Sequence, residues 1–522
     1  MIASFSRIGA IVSADFRIRF RRISTVIVFL LLSAFAYVWI PAPSTGRTLI
    51  QINGQRAIYN SGAIGLGTAS LGMIFVGLFG YYVISNAIRR DVVTRCGVIA
   101  ASTPMRSGEY LLGKFLGNLV FLATFVSGFM LSSMVMLAVR GEARLEPFVF
   151  IEQYLLLTPA AIVFVSAVAV FFESIPWLAG KFGDVVYFFL WSTVLGLVVA
   201  NETTHGRINW ARCFDFTGFG FMIDQLQRTL HTESVSIGAS SFDPTKPTII
   251  FQGLTLTREW VVPRIISVLA PLLLLPFAGL FFHRFDPVRT GRVSGKGRRN
   301  WIGKIQNLFK PLSRRAVSLL IFPGRSGSFL GAIWTDAALT LTLYPLVFVA
   351  FVAITVISCF ASLAGVLPIV FAALAIIVSD VATRDARAGT TANVRAIARL
   401  RENYVWWKLG STCLLGLLLC VVPLIRTLAH GSTAFAALTC GILFVASTAT
   451  ALGVTTANPK TFIVGFLTFW YLVVNDHGQN PMLDFAGFYG HATARTMFLY
   501  GAISVATVSF AQFFYRARLA RM

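Results

Sequence analysis

Long apolar runs alternate with short polar gaps along this chain, and the runs are too long for the strands or half-buried helices of a water-soluble domain. A helix crossing about 30 Å of hydrocarbon needs about 20 mostly apolar residues, because no backbone group can stay unpaired there. That test picks out twelve segments, 23–41, 62–88, 115–139, 154–172, 184–200, 263–283, 342–362, 366–382, 406–425, 433–456, 461–475 and 495–515, of which the eighth and eleventh are short. The opening MIASFSRIGAIVSADFRIRFRR does not fit a cleavable signal, since the apolar run after it is too long and no small-residue cleavage site ends it. The first span is therefore expected to stay as an anchor.

Composition agrees with the pattern. Of 522 residues, 56% are hydrophobic and only 12% are charged, with a mean hydropathy of +0.75. A soluble domain carries about a quarter charged residues, so most of this chain must be solvated by lipid. The expected fold is an all-α polytopic membrane protein. The net charge of +23 does not indicate nucleic acid, because the basic residues are spread over the gaps between apolar runs, where the positive-inside rule places them beside lipid headgroups. Six cysteines (Cys96, Cys213, Cys359, Cys413, Cys420 and Cys440) show no CxxC or Cys/His ligand spacing, so neither a disulfide nor a metal is expected.

Charge on the gaps sets orientation. Arg17, Arg19, Arg21 and Arg22 precede the first run; Arg89, Arg90, Arg95, Arg106 and Lys114 follow the second; Arg516, Arg518 and Arg521 close the chain. Every second gap is basic, which predicts cytoplasmic termini in a multi-pass cell-membrane protein, with the bacterial inner membrane the expected location. The gap 140–153, with Glu142, Glu146 and Glu152, belongs outside, as do 42–61 and the sixty-residue stretch 201–262, which is long enough to form short helices. The gap 284–325 holds eleven Lys or Arg against Asp286 alone. Three parts follow: a first six-span repeat at 1–285, a basic cytoplasmic linker at 286–325, and a second six-span repeat at 326–522.

An internal echo supports the division. DFTGF at 215–219 and DFAGF at 484–488 each precede the last span of their half. A shift of 294 residues lays Ser85 on Ser379, Arg90 on Arg384, Asp91 on Asp385, Tyr110 on Tyr404 and Lys114 on Lys408, and GAI recurs at 9–11 and 331–333. Two repeats in the same order, with both ends inside, imply parallel duplication about an axis along the membrane normal.

Each half opens with a segment expected to lie in the interface, ADFRIRFRR in the first and GSFLGAIWTDAALTL in the second, with Phe16, Ile18 and Phe20 toward acyl chains and arginines toward headgroups. Between the second and third spans comes RRDVVTRCGVIAASTPMRSGEYLLGK, residues 89–114. Gly97 and Pro104 break helical continuity, and Ser107 with Glu109 and Tyr110 can open the next helix. This stretch, with its acidic residue, Gly, small-residue run, Pro and EYLLGK, resembles the permease subunits of the ABC-2 family, the type V exporter fold of ATP-binding cassette transporters. The motif is specific only at 85–117; the resemblance extends over the rest as an architecture.

That resemblance implies a coupling helix seated in a cleft of an ATPase subunit, with Asp91, Gly97, Pro104, Glu109, Tyr110 and Lys114 in the first half and Asp385, Tyr404 and Lys408 in the second. Further contacts are implied at ESIPWLAGK (173–181) and ANPK (457–460). The second half lacks the proline and the small-residue run, so its docking is expected to be unequal. The partners implied are two ABC ATPase subunits, which would hold the ATP and Mg; this chain binds no cofactor of its own. The DFTGF and DFAGF segments correspond to the family's outer re-entrant helices, where Asp215 and Asp484 can cap helix starts and Gly218 and Gly487 permit close packing, a possible outer gate.

No catalytic or metal residue is expected. GRVSGKG at 291–297 has the wrong spacing for a phosphate-binding loop, and neither HExxH nor GxSxG occurs. An ion-gradient-driven carrier of six plus six spans is the alternative, and it would need ionisable residues within spans. A lipid-facing enzyme such as a membrane glycosyltransferase would need convergent carboxylates, for which Asp215 and Asp484 are the only tempting pair. Spans rich in Phe, Leu and Gly imply export of an apolar or amphipathic cargo, a lipid, peptide or drug-like molecule, whose identity the residues do not name.

Overall fold

The computed structural model describes residues 2–21, 23–203, 209–230, 235–282, 285, 328–343 and 345–520. The chain forms two compact units, Met1–Gly297 and Arg298–Met522. The basic linker 286–325 lies outside the described residues.

The first unit begins with α1 (Ile2–Phe20) and α2 (Ile23–Trp39). After the strands β1 (Arg47–Ile52) and β2 (Gln55–Arg56), helix α3 (Ser61–Phe75) is capped by Asn60, whose Oδ1 accepts from Ala63 N–H at 2.8 Å. A π-helical turn, Val76–Gly80, then leads to α4 (Tyr81–Ile84). There the Tyr187 hydroxyl donates to the Gly77 carbonyl at 2.5 Å, and a Cβ on Gly77 would come within 1.9 Å of the Trp191 ring. Only a glycine lets the indole lie against this backbone. Helices α5 (Ala87–Val93), α6 (Cys96–Ser102), α7 (Ser107–Arg140), α8 (Pro147–Ser174), α9 (Lys181–Thr203), α10 (Phe219–Leu230), α11 (Arg258–Leu269) and α12 (Leu274–Phe281) complete the unit, with β3 (Val235–Ser241) between α10 and α11.

The second unit runs α13 (Phe329–Leu343), α14 (Pro345–Phe360), α15 (Leu363–Val378), the short α16 (Arg384–Ala388), α17 (Thr391–Ala396) and α18 (Ala398–Glu402), then α19 (Tyr404–Leu419), α20 (Val421–His430), α21 (Ser432–Thr456), α22 (Pro459–Asp476) and α23 (Ala494–Ala520). Its core is mostly aliphatic, with an aromatic cluster at Phe371, Phe466, Phe485, Phe488 and Tyr500. Phe371 meets Phe485 and Phe488 at ring-centroid distances of 5.4 and 5.3 Å, so the DFAGF segment is driven into the middle of the helices.

Among the described residues, seven helices are long and apolar enough to cross a membrane, or nine if the bent pairs 329–342 with 347–360 and 404–419 with 421–429 are single spans. The protein is thus a mostly helical, polytopic membrane protein. The candidates at 23–41, 366–382 and 461–475 are helical too, as Ile23–Trp39, Leu363–Val378 and Pro459–Asp476, but none combines the length and hydropathy of the others.

Two expectations need correction. The first unit is not purely α: β2, β1 and β3 pair in that order as an antiparallel sheet. Asn53 and Gly54, at φ 49° and 80°, form the turn between β1 and β2, as an Asn-Gly pair between alternating side chains favours. The stretch 201–262 therefore supplies a strand besides its helix α10. Secondly, α1 does not turn all its arginines outward: Asp15 and Arg19 are buried against α7, while Arg17 and Ile18 are exposed.

Candidate functional site

Residues 89–114 fold as a helix, a break, a short helix, a turn and a long helix. The break lies at Arg95, whose φ is 60°, and not at Gly97, which sits inside α6. Gly97 is small for a packing reason, since a Cβ there would come within 2.4 Å of the Phe285 ring. Glu109 starts α7 by accepting from Arg106 N–H at 3.0 Å. The same carboxylate holds Ser4 and pairs with Arg7 at 3.1 Å, fastening the start of α1 to the start of α7. Pro104 is exposed in the turn, and its carbonyl accepts from Arg7 at 3.5 Å.

Where α1, α5 and α7 meet, five charged side chains close on one another. Asp15 lies 2.6 Å from Arg90 and 3.0 Å from Lys114. Lys114 also reaches Asp91 at 2.7 Å, and the Tyr110 hydroxyl donates to Asp91 at 2.7 Å. Arg19 stands 3.7 Å from Asp15 and donates to Asn118 Oδ1 at 2.6 Å. Burial pushes the Asp15 carboxyl up, but the pull of Lys114, Arg19 and Arg90 outweighs it and holds Asp15 below its ordinary value. A buried network of this kind adds little net stability. Removing one member leaves a charge stranded, so the network fixes the seat of α1 on α7.

The second unit builds the same cage. Asp336 of α13 lies 2.9 Å from Arg384 and 3.1 Å from Lys408; Lys408 reaches Asp385 at 2.8 Å; the Tyr404 hydroxyl donates to Asp385 at 3.1 Å. Four residues past the central carboxylate, where the first cage has Arg19, the second has Thr340, whose hydroxyl accepts from Arg384 at 2.6 Å.

Asp91, Tyr110, Lys114, Asp385, Tyr404 and Lys408 are thus brought together, three in each unit, and turned inward. The sequence reading missed Asp15 and Asp336, which centre the cages. Their signal was the GAI echo: the two acids stand six residues after Gly9 and five after Gly331, out of step with the 294-residue shift that aligns the rest. The outward surface from the end of α5 to the start of α7 is mixed: Val93, Val98 and Ile99 are exposed by 74%, 54% and 69%, among exposed Thr94, Arg95, Ser102, Thr103 and Arg106. In the corresponding segment of the second unit Ile397 is exposed.

The other predicted group lies in the segments just before α10 and α23. Asp215 accepts from the N–H groups of Gly218 and Phe221 at 2.7 and 2.9 Å and from the Thr217 hydroxyl at 2.9 Å, which caps α10. Arg264 of α11, buried and unforeseen in the sequence, stands 3.8 Å from the Asp215 carboxylate and donates to its backbone carbonyl at 2.8 Å. Asp484 accepts from Phe488 N–H at 2.6 Å and His491 N–H at 2.9 Å, but it ties a turn, since no helix lies between α22 and α23. Gly218 and Gly487 both hold positive φ, 76° and 70°.

No protein-family model matches the chain, and neither a curated protein nor a solved structure matches it.

Proposed function

We propose that this chain is the permease of an ATP-binding cassette exporter of the ABC-2 type, with twelve spans in two six-span repeats, each opened by an interfacial helix, and both termini cytoplasmic. Two separate ATPase subunits would bind ATP and Mg and drive export of an apolar or amphipathic substrate. One observation carries this reading: α6 exposes Val98 and Ile99 at a place where charged residues gather, beside Val93, while its flanks are locked to α1 and α7 by the cage around Asp15. Apolar side chains at a charged membrane edge need a protein partner. A push on a segment so held is passed to two long helices as tilt and not lost in a flexible loop. The sparser apolar surface at Ile397 fits an unequal second contact.

A second reading, an ion-gradient-driven carrier, draws on Asp184, which is buried in the first turn of the apolar helix α9. The deciding experiment purifies the chain from membranes in mild detergent. Two ATPase copies per permease are expected, and Val98→Glu with Ile99→Glu should strip them without reducing membrane insertion. A chain that purifies alone and whose transport fails with an uncoupler instead of ATP depletion would favour the carrier.

A further inference from the structure

The carboxy-terminal half of α23 borders a groove of about 580 Å³, open to the surroundings and lined also by Trp406 at the start of α19. Val508 and Phe513 are its large apolar side chains on α23, and Ser509, Gln512 and Arg516 line it too. Three features belong together. Trp406 is half exposed, as a tryptophan at the boundary of hydrocarbon and water would be. Arg516 is exposed and pairs with no carboxylate among the described residues. One helical turn from it, the Gln512 side-chain oxygen is buried without a hydrogen-bond partner.

We infer that this groove binds a membrane phospholipid with an anionic headgroup. The phosphate would sit on Arg516, a hydroxyl of headgroup or glycerol would supply the hydrogen that Gln512 Oε1 lacks, and an acyl chain would lie along Val508 and Phe513. The groove is large enough for one chain and a glycerol backbone, since sites for small amphipathic molecules span about 300–1,000 Å³. Charge selects the lipid: a zwitterionic headgroup brings its own cation to Arg516, and an anionic one does not. The inference rests on the membrane character of the chain and is independent of how transport is driven.

The helix supplies its own control. Arg518, two residues on, points to the opposite face, into a separate cavity lined by Arg395 and Tyr515. Both arginines lie in the last turns of α23 and would equally offset its carboxy-terminal dipole; only Arg516 faces the groove.

The full chain is reconstituted in phosphatidylcholine vesicles doped with brominated phosphatidylglycerol or, separately, brominated phosphatidylcholine. Quenching owed to Trp406 is read as the difference between the native chain and Trp406→Phe. An approximately fivefold preference for the anionic lipid is expected, the effect of one cation near a membrane surface. Arg516→Gln should abolish the preference and Arg518→Gln should leave it intact. Equal quenching by the two lipids, or equal loss in both arginine variants, overturns the proposal. Relief of quenching by inorganic phosphate at millimolar concentration also overturns it, because the groove would then hold a free anion and not a lipid.

Discussion

The two charge cages share a plan and differ in balance. Around Asp15 two carboxylates, Asp15 and Asp91, face three cations, Arg19, Arg90 and Lys114. Around Asp336 two carboxylates, Asp336 and Asp385, face two, Arg384 and Lys408. The difference is one side chain on the helix that opens each unit, Arg19 in the first and Thr340 in the second, each four residues after the central carboxylate. A cation in surplus can spare another, whereas a balanced cage has no reserve. The geometry is repeated, but the tolerance to losing a member is not.

The largest test removes the lysine from each. Lys408→Met leaves Asp336 and Asp385 buried with Arg384 alone, and stranding a charge in this way costs about 3–5 kcal/mol. Lys114→Met should cost clearly less, because Arg19 remains beside Asp15. Hydrogen exchange of the α19 and α7 amides in the full chain reads each unit separately, which a single melting temperature would not. Adding Arg19→Thr to Lys114→Met should raise its cost toward that of Lys408→Met, a coupling that a double-mutant cycle measures. Equal costs for the two lysines would remove the distinction between the cages.

How far the sequence foretold these cages depends on which helix carries each residue. Arg90, Asp91, Tyr110 and Lys114 lie on one continuous stretch, so a single shift finds their counterparts. Asp15 and Asp336 arrive on a separate helix whose spacing to that stretch differs, and only folding shows that they complete the cage. The long apolar helices were legible because lipid demands unbroken apolar length. The sheet was half legible: Asn53-Gly54 marks the β1–β2 turn, but β3 comes from far along the chain, where Ile52 opposes Val235. Gly97 was misread as a helix breaker because its smallness serves contact with Phe285, a partner that no local pattern reveals.

A second, smaller contrast separates the aspartates of the two DF-x-GF segments. Asp215→Ala removes the acceptor of two backbone N–H groups and a hydroxyl and leaves the buried Arg264 without its carboxylate, at a cost of about 2–3 kcal/mol. Asp484→Ala removes the acceptor of two backbone N–H groups, at about 1–2 kcal/mol. Asparagine should distinguish them further, since it can still accept hydrogen bonds but cannot balance Arg264. Proteolytic sensitivity of the segments before α10 and α23 is the measurement. Rescue by Asn at 484 but not at 215 is expected, and equal rescue would mean that Arg264 is content with backbone carbonyls.

The smallest effect concerns the sheet, which gives the first unit an acid-sensitive contact. Both guanidinium nitrogens of Arg56 donate to Glu142, at 2.8 and 2.7 Å, and Tyr59 N–H adds a third bond at 3.1 Å. Burial pushes the Glu142 carboxyl up, and the bonds from Arg56 and Tyr59 bring it below its ordinary value. A carboxyl depressed on folding contributes its stability in full above the ordinary glutamate range and loses it as the pH falls through the lowered value. Because the Glu142 side chain is 35% exposed, solvent screening keeps the contribution to about 0.5 kcal/mol or less. The protection of the β1 amides, taken relative to the intrinsic exchange rate at each pH, should therefore fall modestly on acidification, and Glu142→Gln should make that protection insensitive to pH over the same range. The α19 amides, whose cage holds no such exposed pair, supply the reference within the same sample: if their protection falls in parallel with that of β1, the acid response belongs to the whole chain and not to the Arg56–Glu142 contact.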